Sequence, residues 1–166
     1  MLSFAAARSR TIPVLSMMFV FAGAATAQTT SHPILAYHNT YRARHCVPPL
    51  KWSTALADSA RVWARKCTFS HSGTAGQGEN LAWGTALSGK AAVAMWYSEI
   101  SNYNFAAPGF SGTTGHFTQV VWKGSQRLGC VYATCSGEKY WVCRYSPAGN
   151  NTNPGQFVQN VLPLCK

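Results

Sequence analysis

Six cysteines, none before Cys46, limit what this 166-residue chain can become more than any other feature. They are Cys46, Cys67, Cys130, Cys135, Cys143 and Cys165. An even number in a chain of this size reads as three disulfides in an oxidising compartment, with about 15 connectivities open. No two are spaced Cys-x-x-Cys, which argues against a cysteine zinc site. The N-terminus points to the compartment. Arg8 and Arg10 make a basic start, no acid precedes Asp58, and an apolar run from Ile12 to Ala25 ends in Ala25-Thr26-Ala27. That is the form of a signal peptide, and it is short for a membrane span of about 20 apolar residues. Residues 1–27 are therefore expected to be a removed signal peptide, and residues 28–166 one secreted, extracellular domain, expected to be a monomer. Asn150-Asn151-Thr152 is a sequon, marking Asn150 for glycosylation.

Residues 28–166 carry twelve basic side chains against four acids, Asp58, Glu79, Glu99 and Glu138. The basic residues are scattered, with Arg65-Lys66 the one adjacent pair, so nothing resembles a nucleic-acid stripe or motif. A cationic surface of this kind fits weak attraction to an anionic cell wall or membrane surface, with no nucleic-acid partner. With carboxylates so scarce, any that converge in space are notable.

The chain divides by hydrophobic period. Residues 34–45 read as a helix ended by Val47-Pro48-Pro49. Ser53 is a suitable N-cap for a second helix with Leu56, Ala60, Trp63 and Cys67 as its stripe. A third is expected over about Lys90–Ile100, with Val93, Trp96 and Ile100 on one face. His116 to Trp122 alternates and reads as a strand, as do Arg127–Tyr132 and Lys139–Tyr145 around a Ser136-Gly137 turn. Cys135 and Cys143 flank that turn and are candidates to bridge across it. Helices first and strands later predict an α+β layered domain.

Gly84 to Lys90 has the outline of a phosphate loop. Ala91 stands where the magnesium-binding hydroxyl is needed, so a glycine turn into the third helix is the better reading. No Gly-x-Ser-x-Gly elbow is present. The chemically capable residues are His71, Glu79, Glu99 and His116. Brought together, they make either a divalent-metal site or an acid–base pair; as a bland alternative, they tie loops together.

Four phrases in order, His38-Asn-Thr-Tyr-Arg42, Gly78-Glu-Asn-Leu-Ala-Trp-Gly84, Gly115-His-Phe-Thr-Gln-Val-Val-Trp122 and Val142-Cys-Arg-Tyr-Ser-Pro-Ala-Gly-Asn150, resemble the signatures of the CAP superfamily. These are the cysteine-rich secretory, antigen 5 and pathogenesis-related proteins. The resemblance spans about Ile34 to Leu164. It implies an α-β-α sandwich with a small antiparallel sheet between helical layers. It also implies a central cleft where His71, Glu79, Glu99 and His116 meet, with a divalent ion such as zinc or magnesium held by His71 and His116. Disulfides Cys67–Cys130 and Cys135–Cys143 follow by similarity, leaving Cys46 with Cys165.

The segment Asn102 to Phe110 resembles the loop of secreted fungal CAP proteins that bind and export sterols, without the cysteine pair that plant relatives carry there. Tyr103, Phe105, Pro108 and Phe110 are then the expected lipid-binding residues. The expected function is binding and solubilising sterols, or fatty acids between the first and third helices, without catalysis. The alternatives are a metal-dependent hydrolase with Glu79 or Glu99 as base, and a defence-type interaction protein.

Overall fold

The computed structural model describes residues 32–165; the signal peptide expected over residues 1–27 lies outside them. Its centre is a four-stranded sheet of β1 (Lys51–Trp52), β2 (Gly78–Gly84), β3 (Arg127–Cys135) and β4 (Glu138–Ser146), in the order β1-β3-β4-β2. The β3–β4 hairpin turns at Ser136-Gly137, both with positive φ (50° and 85°), the backbone a two-residue hairpin requires. β2 runs antiparallel to β4 on the other side. β1 pairs parallel with β3, so the sheet is antiparallel except at that short edge.

Helix α2 (Thr54–Ala64) covers one face, starting where the Ser53 hydroxyl accepts the Leu56 N–H. Its Ala60 and Ala64 pack with Leu81, Tyr140 and Val142. The fit is close at Gly129, where a Cβ would lie 2.1 Å from the Ala57 nitrogen. The opposite face carries α1 (Pro33–Ala43), α3 (Gly89–Ser98) and α4 (Gly115–Val121) around Val93, Trp96, Phe117, Val120, Leu128 and Tyr145. The short helix α5 (Gln156–Asn160) adds Phe157, edge-on to Trp122. Two apolar layers about one sheet make the α-β-α sandwich. Among the described residues no helix is long and apolar enough to cross a membrane.

Two expectations from the sequence are corrected. His116 to Trp122 is not a strand: residues 115–121 form α4, and Phe117 to Val121 are all buried. A helix buried all round has no polar face, so its period disappears from the sequence and a chance alternation takes its place. The disulfides Cys67–Cys130 and Cys135–Cys143 are also replaced. The structure joins Cys67 to Cys135, Cys130 to Cys143, and Cys46 to Cys165. The strand register decides this. Cys130 lies directly opposite Cys143, whereas Cys135 faces Glu138, five residues further along the hairpin. At about 3.3 Å per residue that is roughly 16 Å, far beyond the reach of a disulfide. Cys135 instead meets Cys67, just past the end of α2.

Candidate functional site: a histidine–glutamate cleft beside an aromatic loop

His71, Glu79, Asn80, Phe110, Gly115, His116 and Asn150 line one cleft of about 200 Å³. His71, Glu79 and His116 are in its lining and Glu99 is not, and the four expected residues form two His–Glu pairs. His71 Nδ1 lies 2.8 Å from Glu79 Oε1, and His116 Nδ1 lies 2.6 Å from Glu99 Oε1. A carboxylate only accepts, so each ring carries its proton on Nδ1 and turns Nε2 away from its glutamate.

Each glutamate is held by a different part of the fold. Glu79 stands on β2, where its Oε1 also accepts the Ser72 N–H at 3.0 Å and its Oε2 pairs with Arg144 of β4 at 3.1 Å. Burial opposes the Glu79 charge, but His71, Ser72 and Arg144 together outweigh it and hold the carboxyl below its ordinary value. The Glu79 hydrogen bond in turn raises the His71 pKa, against the pull of desolvation. Glu99 follows α3 in a 3-10 turn (Glu99–Asn102) and accepts the His116 and Phe117 N–H groups at 2.9 and 3.0 Å. It thereby caps α4 while orienting His116. Both carboxylates are turned to protein donors, so the unprotonated Nε2 atoms of His71 and His116, not a glutamate oxygen, are the acceptors left free by these pairs.

Behind the cleft lies a buried network that the sequence motifs contained without revealing its roles. Asn80 donates to the His116 carbonyl and to the Tyr145 hydroxyl, and Tyr145 meets His38 Nε2 at 2.8 Å. His38 Nδ1 donates to the Ile34 carbonyl, and burial lowers its pKa to about 4. Gln119 reaches Gly149 N–H and Ser125. Gly78 and Gly149 are required there, since a Cβ on either would collide with the Gln119 amide. The sequon residue Asn150 is engaged too: Nδ2 donates to Gly115 and Oδ1 accepts from Thr118, at 2.8 and 2.6 Å. A glycan on this nitrogen would leave it one N–H, the donor that the bond to Gly115 uses.

Among the described residues, one trio of His, Cys, Asp or Glu brings its ligand atoms within 4.8 Å: His38, Cys130 and Cys143. It does not hold a metal as it stands, because the two sulfurs are bonded to each other and both His38 nitrogens are engaged.

The four loop residues separate into two groups. Tyr103 is buried, edge-on to Phe105 at 4.8 Å and 5.4 Å from Phe117, and Phe105 packs on the same core. These two pack inward and anchor the loop on the core. Phe110 is 56 % exposed, with its ring over Gly115 at the start of α4. It borders the histidine cleft on one side. On the other it lines a second hollow, of about 160 Å³, with Pro108, Gly109, Phe157 and Val158.

A sandwich of this topology with two His–Glu pairs in one cleft defines the class, and the comparisons agree. The cysteine-rich secretory protein family matches residues 35–145, and the chain belongs to that family. It is 43 % identical over 150 residues to the human Golgi-associated plant pathogenesis-related protein 1, covering 85 % of this chain and 97 % of that one. It is 46 % identical over 134 residues to Protein PRY2 of Saccharomyces cerevisiae, covering 76 % of this chain but 39 % of that longer one. Among solved structures, Schistosoma mansoni venom allergen-like protein 4 matches with TM-score 0.64 and 26 % identity, covering 72 % of this chain and 88 % of that one.

Proposed function

We propose that this protein is a secreted, non-enzymatic carrier that takes up a sterol or a related small hydrophobic molecule beneath the loop of residues 103–114. The observation that carries the reading is how this loop is held. The hydrogen bonds made by residues 104–113 are local: Ala107 N–H to Asn104 O, Ala106 N–H to Asn104 Oδ1, and Ser111 with Thr113 and the adjoining Thr114. No disulfide crosses the segment. Phe110 is the partition between two hollows, each smaller than the roughly 300 Å³ at which small-molecule pockets begin. Swinging the loop about its Tyr103–Phe105 anchor merges them and offers Phe110, Pro108 and Val158 as apolar contact. Three disulfides suit a protein that must persist outside the cell.

The two histidines fit a divalent ion. Each has a carboxylate fixing Nδ1, the arrangement that orients a metal-binding imidazole, so His71 and His116 Nε2 are the atoms that would hold it. Imidazole ligands suit zinc, whereas magnesium prefers oxygen. A bound ion would supply positive charge to polarise or anchor a polar group of the cargo.

Binding of radiolabelled ergosterol to the purified, disulfide-bonded protein tests the function. Saturable binding that unlabelled cholesterol competes away supports it; binding no greater than that of a lipid-free control protein refutes it. Phe110→Ala removes the main contact and is expected to weaken binding by about 2 kcal/mol, roughly thirtyfold in Kd.

A further inference from the structure

Away from the cleft, at the sheet edge formed by β1, a groove of about 380 Å³ runs between Pro48-Pro49 and the turn after α4. Lys51, Lys123 and Arg127 line it together with Ser125 and Gln126, and no carboxylate does. All three cations are exposed. None forms an ion pair among the described residues, which include all four acids: Asp58 pairs with Arg61, Glu79 with His71 and Arg144, Glu99 with His116, and Glu138 accepts from Trp83 and Thr85.

What lies beneath the groove matters as much. Arg42 is fully buried and meets no carboxylate. Its guanidinium donates to four carbonyls, those of Pro48, Val120, Trp122 and Ser125, at 2.8–3.1 Å. Two of these residues, Pro48 and Ser125, line the groove. Two others, Val120 and Trp122, belong to the C-terminal end of α4, whose buried terminal carbonyls would otherwise lack donors and leave negative charge in this region. Burial lowers the Arg42 pKa to about 10, so it stays charged at neutral pH. The groove therefore has three cations at its rim and a fourth beneath it, solvated by backbone carbonyls but paired with no carboxylate, in protein that screens it poorly.

We propose that this groove is a binding site for a phosphate-bearing anion, separate from the histidine–glutamate cleft and from the aromatic loop. Two sources supply such a group, a soluble phosphate ester and the headgroup of an anionic phospholipid. The concave shape, the mixed Lys and Arg rim and the Ser125–Gln126 backbone suit a compact oxyanion better than an extended flat surface.

Pyrophosphate titrated into the disulfide-bonded protein is the primary test, followed by calorimetry and by backbone amide shifts. Saturable binding is expected, with the largest shifts at residues 123–127, and it should weaken as sodium chloride is raised from about 50 to about 300 mM. Replacing Lys51, Lys123 and Arg127 together by Gln should reduce affinity at least tenfold. Removing the same charge at Arg65, Lys66 and Lys90 should change it less than twofold. All six side chains are solvent-facing, and thermal unfolding of both variants confirms that they fold. Co-sedimentation with phosphatidylserine vesicles that pyrophosphate reverses identifies the headgroup as the source. Pyrophosphate binding without vesicle binding identifies a soluble ester. Absence of saturable pyrophosphate binding, or an equal loss in the two triple variants, overturns the site.

Discussion

The floor of the histidine–glutamate cleft and the loop beside it differ in how many directions hold them. Glu79 is fixed by a strand, a neighbouring strand and a loop, and Glu99 by the helix that it caps. Gln119 of α4 and Asn80 of β2 add further ties, and Asn150 brings in the loop after β4. Residues 104–113 bond among themselves and rest on the core through Tyr103 and Phe105. Under the proposed carrier function the difference separates two tasks: a polar floor that keeps two imidazoles aimed, and a loop free to act as a lid without disturbing it. Local stability should follow the same division, since segments with few outside contacts open at low cost.

The largest expected effect lies in the stapled frame. Replacing Cys46 and Cys165 by Ser opens a link across 119 residues, and the chain-entropy relation puts the loss at about 5 kcal/mol. Losing the Cys130–Cys143 link, across 13 residues, should cost about 3 kcal/mol. Urea unfolding of each pair checks the order, and a reversed order would show that native-state packing outweighs loop entropy here.

Next comes the close contact between α2 and the sheet. Gly129→Ala places its methyl against Leu56 and Ala57 backbone, which cannot move without shifting the helix, and should cost more than about 3 kcal/mol. At the other extreme, a methyl added at Gly109 or Gly112 meets open space, and neither residue has a positive φ. Ala at either position should change stability by less than about 0.5 kcal/mol. Similar losses at Gly129 and Gly109 would erase the contrast between frame and loop.

Acid provides a smaller, graded test. His38 is fully buried, and its folded pKa of about 4 lies below the usual 6.5. The unfolded chain therefore binds more protons between those values, and stability falls as pH drops from about 6.5 to about 4, by about 3 kcal/mol. His45, buried against Tyr97 and Leu162, shifts the same way. Glu79, held below its ordinary value, adds loss as pH falls from its unfolded pKa through its folded one. His71, raised by Glu79, acts oppositely: its share is present below the unfolded pKa and fades as pH rises through the folded value. Urea midpoints between about pH 7 and pH 4 measure the balance, and a His38→Gln variant should flatten the slope.

Much of the frame was legible in the sequence, for identifiable reasons. Ser53 behaves as the N-cap its position suggested, and the Ser136-Gly137 turn sets the hairpin where β-patterning placed it. Helix α4 was hidden because Phe117 to Val121 are buried on every side. Strand β2 was missed because Gly78-Glu79-Asn80 follows a glycine-rich loop and carries a polar pair that faces the site. The cysteine pairing was lost to register, which depends on one turn and cannot be read from spacing. In the site, the four titratable residues stood out because acids are scarce. Their division into two pairs, the role of Arg144, and the inward turn of Tyr103 and Phe105 depend on tertiary packing and left no local signal.

Amide hydrogen exchange over residues 104–113, measured with and without ergosterol, tests the central claim most directly. Fast exchange in the free protein that slows at least tenfold with sterol, while β2 and β4 stay unchanged, is the predicted result. Sterol binding that leaves residues 104–113 exchanging at the same rate would contradict a loop that closes over its cargo.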